Sequence, residues 1–355
     1  MRSILVDRRR LLPLAVTGAL IAFAALWVVL SPASAATPAF NQKGNVLIAD
    51  QFNNRVIEVA KNGHIVWHFG TGSNVAGPKS VVAPNDAQRI PGGRTLIAGT
   101  GAPPGVAGYP AGGAPDSRVL IVNQAGKIVW QYGKAGVTGT GANRLNTPVQ
   151  ATYLPGGRIL ITDQANARVI MVNMAKKIVW QYGQTGVTGS GSNQLNNPNS
   201  AELLKNGHIL IADEGNNRVI EVTKAKKIVW SDSTGLNAPA FASRLPDGHT
   251  LIADGGNNRV VEVDQSGAVV WSYDTTARAG SVAAPAPSQA VRLKNGDTLI
   301  SDQFNDQVIE VTSGGTIAWS YGQIGQPGSA AGMLNAPYSA KVIGDFTGLT
   351  PPTGF

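Results

Sequence analysis

One tryptophan-bearing segment recurs six times in this chain and limits its folds more than any other feature. It reads GHIVWHFG at Trp67, GKIVWQYG at Trp130, KKIVWQYG at Trp180, KKIVWSDS at Trp230, GAVVWSYD at Trp271 and GTIAWSYG at Trp319. The intervals are 63, 50, 50, 41 and 48 residues. A period of this size, carried by short apolar runs and turn residues, belongs to radial blades or stacked arrays in which no copy can bury its apolar faces alone. The repeat therefore overrides the length of 355 residues, which by itself would suggest two or three domains.

The fourth copy, Asn196 to Ser233, shows the unit. Four apolar segments, Asn199–Leu204, His208–Ala212, Arg218–Thr223 and Lys227–Ser231, are separated by turn chemistry, and helical periodicity is absent. Lys205-Asn206-Gly207 and Lys224-Ala225-Lys226 have hairpin length, and Asp213-Glu214-Gly215-Asn216-Asn217 makes a longer turn. Each unit is thus expected to be a four-stranded antiparallel meander, strands a to d, and the fold to be all-β: a six-bladed β-propeller. Strand a carries its own signature, Pro-x-x-Ala, at Pro84, Pro148, Pro198, Pro239, Pro287 and Pro337. The last of these has no strands b to d after it, whereas the chain enters the first copy at strand b. Pairing Tyr338–Ile343 with Val46–Asp50 would close the ring.

The turn between strands b and c reads ADQFNNRVIEV, TDQANARVIMV, ADEGNNRVIEV, ADGGNNRVVEV and SDQFNDQVIEV. It resembles the NHL-repeat family of six-bladed propellers, with a Gly-rich run, Leu-x-x-Pro, an Asp and Asn-Arg-Val. The resemblance covers Asn41 to Ile343. The Trp strand also looks like the repeats of quinoprotein propellers. Blade 2 departs from the pattern: Gly99 stands where the others have Asp, and a Gly/Pro/Ala insertion runs to Ser117. Long insertions on a regular scaffold tend to carry function, so this one is a candidate recognition loop or lid.

The N-terminus is a targeting segment. Arg2, Arg8, Arg9 and Arg10 precede an uncharged apolar run, Leu11 to Leu30, and Ala33-Ser34-Ala35 fits a cleavage site. Residues 1–35 are expected to be a signal peptide or a retained membrane anchor, residues 36–355 the propeller, and the body extracytoplasmic. The absence of cysteine excludes disulfides and thiolate chemistry. The net charge of +8 falls to +5 without the leader, and no Arg-rich run follows it, so nucleic acid is not an expected partner.

In a meander the b–c turns and d–a connections share one face. That face collects Asp50, Asp86, Asp116, Asp163, Asp213, Glu214, Asp232, Asp254, Asp274, Asp302 and Asp306, and the opposite face collects lysines. We therefore expect an acidic top, with a site for a protein or small polar ligand, and a basic bottom able to meet an anionic membrane surface. The repeated Asp caps its turn or, alternatively, holds calcium; no other cofactor is expected. The Trp series reads as blade-to-blade packing and the Glu of RVIEV as a solvated position. Ligand-binding candidates at the channel mouth are Asp86, Gln150, Glu202, Arg244, Gln289 and Tyr338 of the strand-a segments. No nucleophile–base pair can be named and the four histidines do not converge, so a non-catalytic binding module leads. The resemblance leaves one alternative, a metal-dependent lyase or lactone hydrolase with its site in the channel.

Overall fold

A computed structural model describes residues 39–345; the expected leader lies outside the described residues. The chain forms a six-bladed β-propeller of four-stranded antiparallel sheets. From axis to rim, blade 4 comprises Ser200–Leu203, Ile209–Asp213, Arg218–Val222 and Ile228–Asp232, and the other blades follow the same order. Among the described residues no helix is long and apolar enough to cross a membrane.

Blade 1 is built from both ends of the chain. Pro337–Val342 pairs antiparallel with Val46–Asp50, with Ile48 opposite Ala340, and Arg55–Val59 and Ile65–Phe69 complete the sheet. The expected closure is thus observed. Each inter-blade space holds an apolar cluster from the facing sheets; one joins Ile90, Leu96 and Val119 of blade 2 to Ala151, Ile159 and Ile170 of blade 3. The repeated Ala of strand a lies in these clusters because only a small side chain fits where six sheets converge.

Every outer strand carries a β-bulge beside its tryptophan. In blade 1, Glu58 pairs with Trp67 and Val59 with Ile65, leaving Val66 unpaired, and the same shift occurs in the other five blades. The unpaired residue points outward, which explains the exposed Val129, Val179, Val229 and Val270. A bulge on an edge strand twists it away from partners and so protects an open edge from pairing with another chain.

The tryptophans do join neighbouring blades, but only Trp67 is buried; the others are partly exposed. Each indole Nε1 donates to a main-chain carbonyl in the c–d turn of the next blade: Trp67 to Gln124, Trp130 to Met174, Trp180 to Lys224, Trp230 to Gln265, Trp271 to Ser313 and Trp319 to Lys61. The last of these bonds crosses from blade 6 to blade 1.

Candidate functional site

The Asp-x-x-Asn-Asn-Arg turn is structural in each of its parts. Asp213 Oδ2 accepts from Arg218 Nε at 2.7 Å and from Asn216 Nδ2 at 2.7 Å, while its Oδ1 accepts from the Asn196 amide at 2.8 Å. Asp50, Asp163 and Asp254 repeat this pattern. The second Asn adopts a left-handed conformation that Asn tolerates well, with φ of 52° at Asn54 and 51° at Asn217. Its side-chain oxygen caps the next blade, as where Asn217 Oδ1 accepts from the Ala238 amide at 2.8 Å.

The two irregular blades rebuild the same ion pair from other residues. In blade 2, Asp116 Oδ1 accepts from Arg118 Nε at 2.6 Å, and Asp116 occupies the space where an Asp at position 99 would otherwise reach. A Cβ on Gly99 would lie 2.7 Å from Asp116 Cγ, so glycine there is required by the displaced carboxylate. In blade 6, Gln307 stands where the others have Arg, and Arg278 pairs with Asp302 instead.

These pairs correct the expectation of an acidic top. Nine of the eleven top-face carboxylates are buried; only Glu214 and Asp274 reach solvent appreciably. Most of this charge is met by arginine and amide donors within the turns, with Asp86 paired instead to Lys341, and little negative surface remains. Burial pushes the Asp50 carboxyl up to about 6 against the opposing pull of Arg55. The Glu of RVIEV is likewise not solvated: Glu58, Glu221, Glu262 and Glu310 are all buried. Glu58 accepts from the Asn41 amide, Asn45 Nδ2 and Arg89 Nη2 at 2.6, 2.6 and 2.5 Å.

Most of the six candidates from the strand-a segments serve the ring itself. The innermost strand has one edge with no neighbouring strand, and buried amides there need acceptors. Side chains two residues after the repeated Pro supply them across blade boundaries. The Ala151 amide donates to Asp86 Oδ2 at 3.3 Å, Ala201 to Gln150 Oε1 at 2.5 Å and Ala340 to Gln289 Oε1 at 3.0 Å. Ser339 and Ser200 do the same for Ala87 and Ala242. Glu202 accepts the Arg244 amide at 2.8 Å. Arg244 is not at the channel mouth; its guanidinium lies near the a–b turn end of blades 4 and 5, over Trp230.

Tyr338 stands at the mouth. Its hydroxyl reaches across the axis from blade 1 to blade 4, donating to Asn199 Oδ1 at 3.1 Å and accepting from Asn199 Nδ2 at 2.7 Å. At this level the space between the blades is about 10 Å³, room for one water at most. Burial raises the phenol above its ordinary range, and the nearby Glu214 adds to the rise.

Above this plug lies a cleft of about 660 Å³. Tyr338, Asn85 and Asn199 line its base, with Gln164, Asn197 and Glu214 beside them, and the blade 2 insertion forms a wall. Glu214 Oε2 accepts from Asn199 Nδ2 at 2.8 Å and Gln164 Nε2 at 3.2 Å, and burial raises its carboxyl. The insertion is a long hairpin, Arg94–Ala102 with Ala114–Val122, rather than an irregular loop. Its tip docks on blade 1: Tyr109 Oη donates to Asn54 Oδ1 at 2.7 Å and its ring meets Phe52 edge-on at 5.9 Å. Thr100 at its root donates to the Pro148 carbonyl at 2.7 Å. The role of Asn85, Asn197 and Asn199 was not read from the sequence; their position beside each strand-a Pro was the available signal.

Comparison with known proteins bears on the fold. A family model described as outer membrane protein assembly factor BamB matches residues 201–344, less than half of the chain. A protein of unknown function from Bacteroides caccae is similar over 84% of this chain and 98% of its own, at 16% identity and a TM-score of 0.60. Virginiamycin B lyase from Staphylococcus aureus is similar over 69% of this chain and 71% of its own, at 15% identity and a TM-score of 0.47. No curated protein matches. The NHL likeness stays a likeness of turn motifs, whose residues here hold the blades together.

Proposed function

We propose that this chain is an exported, non-catalytic binding propeller whose ligand or partner occupies the top-face cleft beside the blade 2 hairpin. The cleft carries the reading: about 660 Å³, lined by amides, threonines and prolines with one carboxylate, Glu214. Amides offer donors and acceptors together, so such a lining suits an uncharged polar group, a peptide backbone or a polyol. Glu214 is already held by amide donors and has no basic partner among the described residues, an arrangement that orients a ligand better than it abstracts a proton. His208 and His249 pair with glutamates at the opposite, a–b turn end, and neither lines the cleft. The lyase or hydrolase alternative therefore gains no residue from this geometry.

The export reading rests on the leader expected from the sequence in residues 1–35, and partner binding agrees with the match of residues 201–344 to an assembly-factor family. The test is a graft. Replacing residues 99–117 by the Asp213–Asn217 turn removes one wall of the cleft, supplies an Asp for Arg118 in place of Asp116 and leaves the remaining blades intact. The graft is expected to melt cooperatively and to lose at least tenfold in affinity for a partner captured by the wild-type protein. Unchanged affinity in a folded graft would place the site elsewhere.

A further inference from the structure

A second groove lies on the other face. In three of the six blade junctions an arginine at the end of strand a meets the Glu and Trp of the preceding blade. Arg89 and Arg292 are each fixed there by two side-chain hydrogen bonds: Arg89 bonds Glu58 at 2.5 Å and Thr95 Oγ1 at 2.8 Å, leaving its Nε without an acceptor among the described residues, and Arg292 bonds Glu262 at 2.7 Å and Thr298 Oγ1 at 3.1 Å. Arg244, at the third, is 8% exposed, yet its Nε and Nη2 find no hydrogen-bond acceptor among the described residues. Its one ion-pair contact is Glu221 Oε2 at 3.2 Å, and that glutamate is engaged through Oε1 by His208 at 2.7 Å and by Asn206. Beside Arg244 the junction opens into a groove of about 470 Å³, bordered by Trp230, Val229, Leu245 and Lys205.

We propose that this groove binds a small organic anion, a carboxylate carried on a flat apolar body. The unspent guanidinium donors match a carboxylate in geometry and charge, and Lys205 adds a second cation, so the positive groups outnumber Glu221. The half-exposed Val229 and Trp230 give the apolar body a surface to cover. The site is independent of the top-face cleft and does not rest on it.

Phenylacetate is a suitable probe, with phenylacetamide as its uncharged counterpart. A ligand of that size binds at about 10 mM or tighter. Titration of the full chain should shift the Trp230 indole N–H resonance saturably with phenylacetate and not with the amide. Arg244→Gln should weaken binding at least tenfold. Arg244→Lys, which keeps the charge and loses the fork, should weaken it several-fold and guards against misfolding of the first variant. Arg292→Gln, at a junction where the guanidinium is already bonded to Glu262 and Thr298, should change nothing. Equal binding of acid and amide, no saturable shift, or unaltered binding by a folded Arg244→Lys protein overturns the proposal.

Discussion

Arg89 Nη2 donates to Glu58 Oε2 at 2.5 Å across the junction of blades 1 and 2, and the same guanidinium stacks 4.2 Å from the Phe40 ring centre and 5.1 Å from that of Trp67. Both partners are buried. Removing one partner of a buried ion pair leaves an uncompensated charge and costs about 3 to 5 kcal/mol. Glu58→Ala or Arg89→Ala should each lower the denaturation midpoint by that order. The junction of blades 2 and 3 shows the alternative solution: Ile121 stands at the Glu position and Tyr153 at the Arg position. The double variant Glu58→Ile, Arg89→Tyr should therefore be more stable than either alanine variant, as denaturant titration would measure. Greater loss in the double variant would show that the two junctions are not interchangeable.

Blade 2 supplies a second test. Asp116 also accepts from the Val82 amide at 2.7 Å, so it joins the hairpin root to the chain entering blade 2. Asp116→Ala would strand Arg118, which is fully buried, and should cost about 3 to 5 kcal/mol. Gly99→Ala pushes against the same carboxylate and should cost about 1 to 3 kcal/mol by overpacking. The regular blade sequence offers a rescue: Gly99→Asp with Asp116→Ser restores the usual Asp-to-Arg spatial relation and should recover much of the loss. Thermal melts of the three proteins decide it.

The repeat made the fold legible because blade number, strand order and ring closure all follow from spacing and from which strand stands at each end of the chain. Burial of charge was less legible. Glu58, Glu221 and Glu262 alternate with apolar residues, as a solvated strand position would, and their arginine partners lie about thirty residues away in Arg89 and on the next blade generally. A partial correlation was nevertheless present: the junctions with Glu58, Glu221 and Glu262 have Arg89, Arg244 and Arg292 opposite, those with Ile121 or Met171 have Tyr153 or Leu203, and Glu310 meets Lys61 of a c–d turn instead. Asp86, Gln150 and Gln289, expected to meet a ligand, instead accept from the amides of a neighbouring inner strand, which no single blade reveals.

His249 gives the a–b turn face a pH dependence. Its Nδ1 lies 2.7 Å from Glu262 Oε1, and that bond, aided by Asp247, raises the imidazole above its ordinary value. A raised histidine stabilises the fold fully below about 6.5 and loses that contribution as pH rises through its folded value. The melting-temperature gap between wild type and His249→Gln should be wider at about pH 5.5 than at about pH 8.5. A gap independent of pH would mean that the imidazole does not change charge on folding.

The closing strand carries the last prediction. Pro337–Val342 is the only strand that blade 1 takes from the C-terminal end, and three kinds of contact depend on it. It pairs along Val46–Asp50, Ser339 accepts the Ala87 amide, and the Tyr338 hydroxyl reaches Asn199 on the opposite side of the axis. Removing residues 337–355 would expose the Val46–Asp50 edge and take the Tyr338 hydroxyl out of the channel. The truncated protein should aggregate on mild heating and melt well below the full chain. Tyr338→Phe separates the two effects, because it keeps the strand and deletes only the bond across the axis. That variant should lose about 1 kcal/mol and remain monodisperse. Light scattering and calorimetry on both proteins make the comparison. A truncated chain that stays soluble with an unchanged melting temperature would mean that the ring does not depend on this strand.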